Sequence, residues 1–250
     1  MTAVAATRIV QLEALTTSAW PALSTELLDG WLLRFAAGYT KRANSVLPLY
    51  AGALPDEAKI EYVEARYQAV GQPAVFKLTP ATAALDATLA ARGYELVDAS
   101  SVQTLDLQRE RYQQDPQVTL WRQPDPVWFD AFAGMSGLTP AQREAAARML
   151  AGYACNTAFA VVRQHERIVA CGFAVRQWDS VVLFDIVTDP AERRSGYGRR
   201  LVDSLLAWGQ EAGATQGLLQ VVADNAPAVA LYAGFGFAEQ YQYWYRRQPG

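Results

Sequence analysis

Four arginines and two glycines crowd one short stretch, Arg193-Arg194-Ser195-Gly196-Tyr197-Gly198-Arg199-Arg200. Guanidinium groups are fork-shaped donors suited to phosphate, and glycine lets backbone approach a ligand with no Cβ in the way. Ahead of the stretch, residues 181–188 are rich in Val, Leu, Ile and Phe and read as a buried strand, broken by Asp189-Pro190. Behind it, Leu201, Val202, Leu205, Leu206 and Trp208 fall at helical spacing, with Gly213 as the stop. Strand, glycine loop and helix in that order turn the first helical amides, and the positive end of the helix dipole, toward an anion. A pyrophosphate suits such a loop. The dinucleotide fingerprint is not met, because Leu201 stands where its third glycine belongs, and there is no lysine for a nucleoside-triphosphate loop.

A second stretch offers a proton donor. Downstream of another apolar run, 217–222, residues Asn225, Ala228, Leu231, Tyr232, Gly236 and Phe237 spell N-x-x-A-x-x-L-Y-x-x-x-G-F. With the R-x-x-G-x-G loop behind an Asp-Pro, this pair of motifs resembles the GCN5-related N-acetyltransferases (GNAT). The resemblance implies acetyl-CoA as acyl donor and an amine acceptor: a small molecule, a peptide N-terminus or a lysine. It implies that Ile186, Val187 and Thr188 splay from the neighbouring strand and face the pantetheine arm. The residues Arg193, Arg194, Ser195, Gly196, Tyr197, Gly198 and Arg199 would then hold the pyrophosphate, Asn225 the pantetheine, and Tyr232 would be the general acid beside the thioester sulfur. A tyrosine with a pKa of about 10 keeps its proton at neutral pH.

The base stays open. Some members of the family place a Glu on the strand before the Asn; here that position is Gln220, which takes no proton. Asp185 is the remaining nearby carboxylate, and it can equally serve as hydrogen-bonded structure; ordered water is the other relay. Two alternatives to acetyl transfer also stay open: a CoA-binding regulatory or scaffold module without chemistry, and transfer of a longer acyl chain. Candidates to line the acceptor pocket are Arg34, Tyr39, Lys41, Arg42, Asn44, Trp178, Tyr241, Tyr243, Trp244 and Tyr245.

The whole chain narrows the field further. Its net charge of -3 argues against a nucleic-acid partner. No apolar run approaches the ~20 residues of a bilayer span, and the N-terminus lacks the basic start and apolar core of a signal peptide, so the expectation is a cytoplasmic protein. The resemblance is compatible with a homodimer. Cys155 and Cys171 are the only cysteines and sit in apolar surroundings, as small core residues do. The single histidine, His165, falls in a Gln-His-Glu-Arg turn between apolar runs, leaving little for a metal site or a Ser-His-Asp triad.

Those motifs need a scaffold to position them. The back half reads as strand 118–121, helices 125–135 and 140–153, strands 157–163 and 167–177, the loop-bearing strand and helix, strand 217–222, helix 226–233, and two closing strands over 238–246. That order resembles one complete GNAT fold, an α/β (α+β) architecture with a mixed central sheet flanked by helices, over 117–250. The front half, 1–107, reads as a strand or short helix, a helix over 20–28, a hairpin, helix, strand, helix and strand. By element order it resembles a truncated, degenerate GNAT copy whose 50–55 loop holds one glycine and no arginine. Between the halves, 108–116 is polar, without apolar period, and reads as a linker.

Overall fold

A computed structural model describes residues 2–153 and 156–249 of the chain; Cys155 lies outside them. Two compact units divide it. One runs to Val102 and takes in Val222–Asp224 and the chain from Gln240 onward; the other holds Gln103–Val221 and Asn225–Glu239. The sequence-based division placed everything after 117 together, whereas the last strand clusters with the first unit.

The first unit is built from α1 (Ala3–Ala19), β1 (Ser24–Leu28), β2 (Trp31–Phe35), β3 (Val46–Pro48), α2 (Asp56–Gln68), β4 (Val75–Leu78), α3 (Ala83–Ala91) and the opening of β5 (Glu95–Asp106). The helix expected over 20–28 does not form. Asp29 and Gly30 take positive φ, 43° and 86°, as a two-residue hairpin turn requires, and Leu28 pairs with Trp31 through to Ser24 with Phe35. The turn chemistry overrides local helix propensity. Two closing strands were also expected, but one unbroken strand forms, β11 (Ala238–Arg247). Its Tyr241, Tyr243 and Tyr245 are buried on alternate positions with no turn residue among them, and it pairs antiparallel with β4 from Trp244↔Leu78 to Arg247↔Val75.

The second unit starts from the last residues of β5 and continues through β6 (Val118–Trp121), α4 (Pro126–Met135), α5 (Pro140–Ala151), β7 (Thr157–Gln164), β8 (Arg167–Gln177), β9 (Ser180–Thr188), α6 (Tyr197–Glu211), β10 (Gln216–Val222) and α7 (Ala226–Ala233). Its strand order is β5-β10-β9-β8-β7-β6, a mixed sheet in which β9 and β10 are parallel and β7, β8 and β9 antiparallel. Side chains alternate across it. Ala158, Ala160 and Val162 of β7 join Leu201, Leu205 and Leu206 of α6 in one core cluster, and burying each such Leu contributes roughly 1.5–3 kcal/mol. Phe159, between them, instead meets Trp128 of α4, ring centroids 4.8 Å apart. Trp128 is fully buried and donates Nε1–H to the Ala160 and Gly172 carbonyls at 3.2 and 3.0 Å. His165 lies in the expected β7–β8 hairpin turn, at φ 54°.

The polar stretch after β5 is not a loose tether. Gln210 of α6 accepts from the Tyr112 amide at 2.9 Å and donates to the carbonyls of Leu107 and Glu110 at 2.6 and 2.7 Å. Ser204 Oγ accepts from the Asp115 amide at 3.0 Å. Side chains on a helix thus satisfy backbone that has no ladder of its own.

Candidate functional site

The parallel pair β9–β10 is joined only from Ser180↔Gln216 to Leu183↔Leu219. Both strands run on, to Thr188 and Val222, so beyond Leu183 and Leu219 the sheet forks. The cause lies on the other edge of β9. Its register with β8 shifts between Cys171 and Phe173, and Asp185 takes φ 50° there, an extra residue that bends the strand as bulges do. Gly172 makes the bend possible, since a Cβ at that position would lie 2.6 Å from Ile186 Cδ1 and 3.2 Å from Ile186 Cα. The half-buried run Ile186, Val187 and Thr188 carries backbone polar groups along the open side of the fork.

At the mouth of the fork the chain turns into α6. Asp189 caps a short 3-10 turn by accepting from the Ala191 amide at 2.9 Å, and Arg167 braces the turn through Asp189 at 3.0 Å and through Glu192. Arg194 at φ 64° and Gly196 at φ 82° then swing the backbone so that α6 begins at Tyr197 with Gly196 as its N-cap and no side chain capping it. Its first ladder bond is Arg200 N–H to Gly196 O, 3.2 Å; amides ahead of that have no intrahelical partner, an arrangement suited to an anion. Gly198 stands against both neighbours of the fork. A Cβ there would be 3.5 Å from Thr188 Oγ1 and 3.5 Å from Leu231 Cδ2.

The arginines divide their work. Arg193 and Arg194 are exposed on the loop beside Ser195. Arg199 instead lies over the Phe235 ring, 4.6 Å from its centroid, and donates to Gly234 O at 3.4 Å. Arg200 bonds Gln117 Oε1 at 2.5 Å and faces Asp115 at 3.6 Å. The four therefore do not converge on one guest.

On the opposite wall, Asn225 is the exposed N-cap of α7, its Oδ1 accepting from the Ala228 amide at 3.3 Å. Tyr232 is 8% exposed in the core cluster of α6 and β10, with Phe237 edge-on at 5.8 Å. Gln220 is the first residue of β10 past the last fork pair, and its Nε2 is buried with no hydrogen-bond partner among the described residues. Burial pushes the Cys171 thiol well above its ordinary value, with the Asp185 carboxylate adding to the shift.

The acceptor candidates fare differently. Arg34 is a structural bracket, 3% exposed, donating to the Arg42, Thr17 and Trp20 carbonyls. Asn44 accepts from the Ala36 and Gly38 amides at 2.9 and 3.1 Å and thereby closes its own turn. Tyr39, Tyr241, Tyr243 and Tyr245 are buried, and Trp178 is 80% exposed at a hairpin turn.

A family profile described as "Probable histone acetyltransferase Rv0428c C-terminal" matches residues 6–246. The uncharacterized N-acetyltransferase YobR of Bacillus subtilis is 30% identical over 248 residues, 95% of this chain and 98% of that protein. The ribosomal-protein bS18-alanine N-acetyltransferase of Escherichia coli is 41% identical over 69 residues, 27% of this chain and 47% of that one. Among solved structures, a GCN5-related N-acetyltransferase from Kribbella flavida superposes with a TM-score of 0.69 at 16% identity, over 100% of this chain and 97% of its own. A tandem GNAT protein from the clavulanic acid biosynthesis pathway reaches 0.63 at 15% identity, over 99% and 96%. The last two are likenesses of fold.

Proposed function

Because this chain belongs to the GCN5-related N-acetyltransferase superfamily, we propose that it moves the acetyl group of acetyl-CoA to an amine at the β9–β10 fork. The observation that carries this reading is the fork itself. Its pairing stops at Leu183↔Leu219, and the uncapped N-terminus of α6 stands at its mouth, giving a slot of free backbone groups that ends in an anion cradle. The pyrophosphate sits on the amides of Tyr197, Gly198 and Arg199, with Arg193, Arg194 and Ser195 around it. The pantetheine lies between Ile186–Val187–Thr188 and Asn225.

The amine nitrogen attacks the thioester carbonyl, the C–S bond breaks, and Tyr232 gives its hydroxyl proton to the departing thiolate. The proton lost by the amine goes to Asp185, directly or through water. Within this reading the N-terminal unit is a GNAT-like copy that does no chemistry. The second reading, a CoA-binding module without transfer, draws its support from Gln220, a side chain that takes no proton where a carboxylate base would be useful.

Tyr232→Phe tests the assignment. It removes one oxygen and keeps the ring that packs on Phe237, so CoA affinity should hold. Turnover with an amine panel, followed by thiol release, should fall about 10²–10⁴-fold, and in kcat. Unchanged kcat removes Tyr232 from the role, and a wild type that binds CoA yet acetylates no amine favours the binding module.

A further inference from the structure

We propose that the N-terminal unit carries a binding site of its own, one that takes a small apolar amine and excludes phosphate-bearing ligands. Strands β3 and β4 are parallel and joined only at Val46↔Phe76. Beyond that pair, Leu47 and Pro48 of β3 and the segment that follows β4 border a solvent-open cavity of about 430 Å³, within the ~300–1,000 Å³ of small-molecule sites. Apolar residues, Ile9 and Val10 of α1, Trp31, Leu47, Leu49 and Leu85 among them, share its surface with polar ones.

The backbone amides just ahead of α2 already hold an anion of the chain itself. The Asp29 carboxylate accepts from the Ala53 and Leu54 amides at 2.9 and 2.8 Å, the backbone donors just ahead of α2. Gly52 leaves room for it, since a Cβ there would overlap Asp29 Oδ2. Those two backbone hydrogen bonds hold the carboxyl below its ordinary range, with Lys59 helping, so this carboxylate stays anionic and repels another anion.

Charge decides the sign of the guest. Lys59, 3% exposed, faces Asp56 at 3.1 Å and Asp29 at 3.6 Å and covers the Trp31 ring at 4.2 Å. Glu13, 1% exposed, is paired with Lys77 at 2.5 Å and accepts from Tyr241 OH at 2.8 Å. Of these groups Glu13, Asp56 and Lys59 line the cavity, so two carboxylates stand there against one lysine. Asp56, with a side chain 43% exposed, pairs with Lys59 through Oδ1, so an ammonium at the rim can meet its other oxygen while the apolar body enters. The inference stands whether or not acetyl transfer holds, because its residues belong to the first unit alone.

Titration calorimetry on the full chain tests it, with 2-phenylethylamine and 3-phenylpropionate as probes of one shape and opposite charge. The amine should bind at least tenfold tighter. Ala84→Trp places a large ring into the cavity from an exposed helix position and should weaken amine binding at least tenfold, with acetyl-CoA binding unchanged. Asp56→Asn should weaken it about fivefold without filling anything. Equal affinity for the two probes, no amine binding, or amine binding untouched in both variants overturns the site; the last would place the amine elsewhere in the chain.

Discussion

Replacing Gly198 with alanine should stabilise the protein and at the same time weaken its grip on acetyl-CoA. Gly198 is the second residue of α6, its φ lies outside the left-handed region, and a Cβ would rest at 3.5 Å from Thr188 Oγ1 and Leu231 Cδ2, ordinary van der Waals separations. The folded chain therefore loses nothing, and the helix gains about 0.5–1 kcal/mol from reduced unfolded-state entropy. For a chain of this length, 1 kcal/mol moves Tm by about 2–4 °C, so a rise of about 1–4 °C is expected. The same methyl occupies the space through which a pyrophosphate approaches the helix amides. Losing one or two charged hydrogen bonds of about 1.5–3 kcal/mol each is at least a tenfold loss of affinity, at 1.4 kcal/mol per decade. Thermal melts and acetyl-CoA titrations on wild type and Gly198→Ala read both numbers. Undiminished affinity would refute the cradle, and a Tm lower by several degrees would refute the packing argument.

Gly209→Ala should act in the opposite sense, because its Cβ would sit 2.7 Å from Val181 Cβ; about 1–3 kcal/mol of overpacking cost should lower the urea midpoint. Cys171 is buried with its thiol pushed up, so iodoacetamide at pH 8 should leave it unmodified in the native protein and alkylate it in guanidinium, as read by peptide mass. The Arg246 hydrogen bond, helped by that from Trp244, holds the Asp86 carboxyl below its usual range. Its contribution is then present above about pH 4 and lost as pH falls through the lowered value. Asp86→Asn should be less stable than wild type near neutrality by urea unfolding, and the gap should close toward pH 3; a gap that persisted there would point to another cause.

The strand, glycine loop and helix over residues 181–211 were legible because a strand-breaking Asp-Pro, two glycines and a helical period stand in that order, and the positive φ of Gly196 follows from residue type. The fork was expected only through the family resemblance. The glycine that permits it, Gly172, is separated from Ile186 in sequence and announces nothing. Arginine count misled about the loop, since nothing local to Arg199 and Arg200 reveals Phe235 or Asp115 as their partners. Arg34 and Asn44 look like binding residues by type, yet Arg34 satisfies carbonyls at the end of α1 and at Arg42, and Asn44 the amides of its own turn. Period-two burial marks β11 as a strand but leaves its partner β4 unstated, and the Gln210 clamp spans some hundred positions.

The chain crosses the boundary between its units more than once. It passes at Gln103 in the middle of β5, returns for Val222–Asp224, and crosses again at Gln240 within β11. Each unit is therefore completed by residues that a simple cut removes. A fragment starting after β5 would bare the long side of β10, and one ending there would leave β4 without the strand it pairs with. Bared, flat, apolar edges seek other chains, so such pieces should aggregate. Neither unit is one continuous run of sequence, so no single cut separates them.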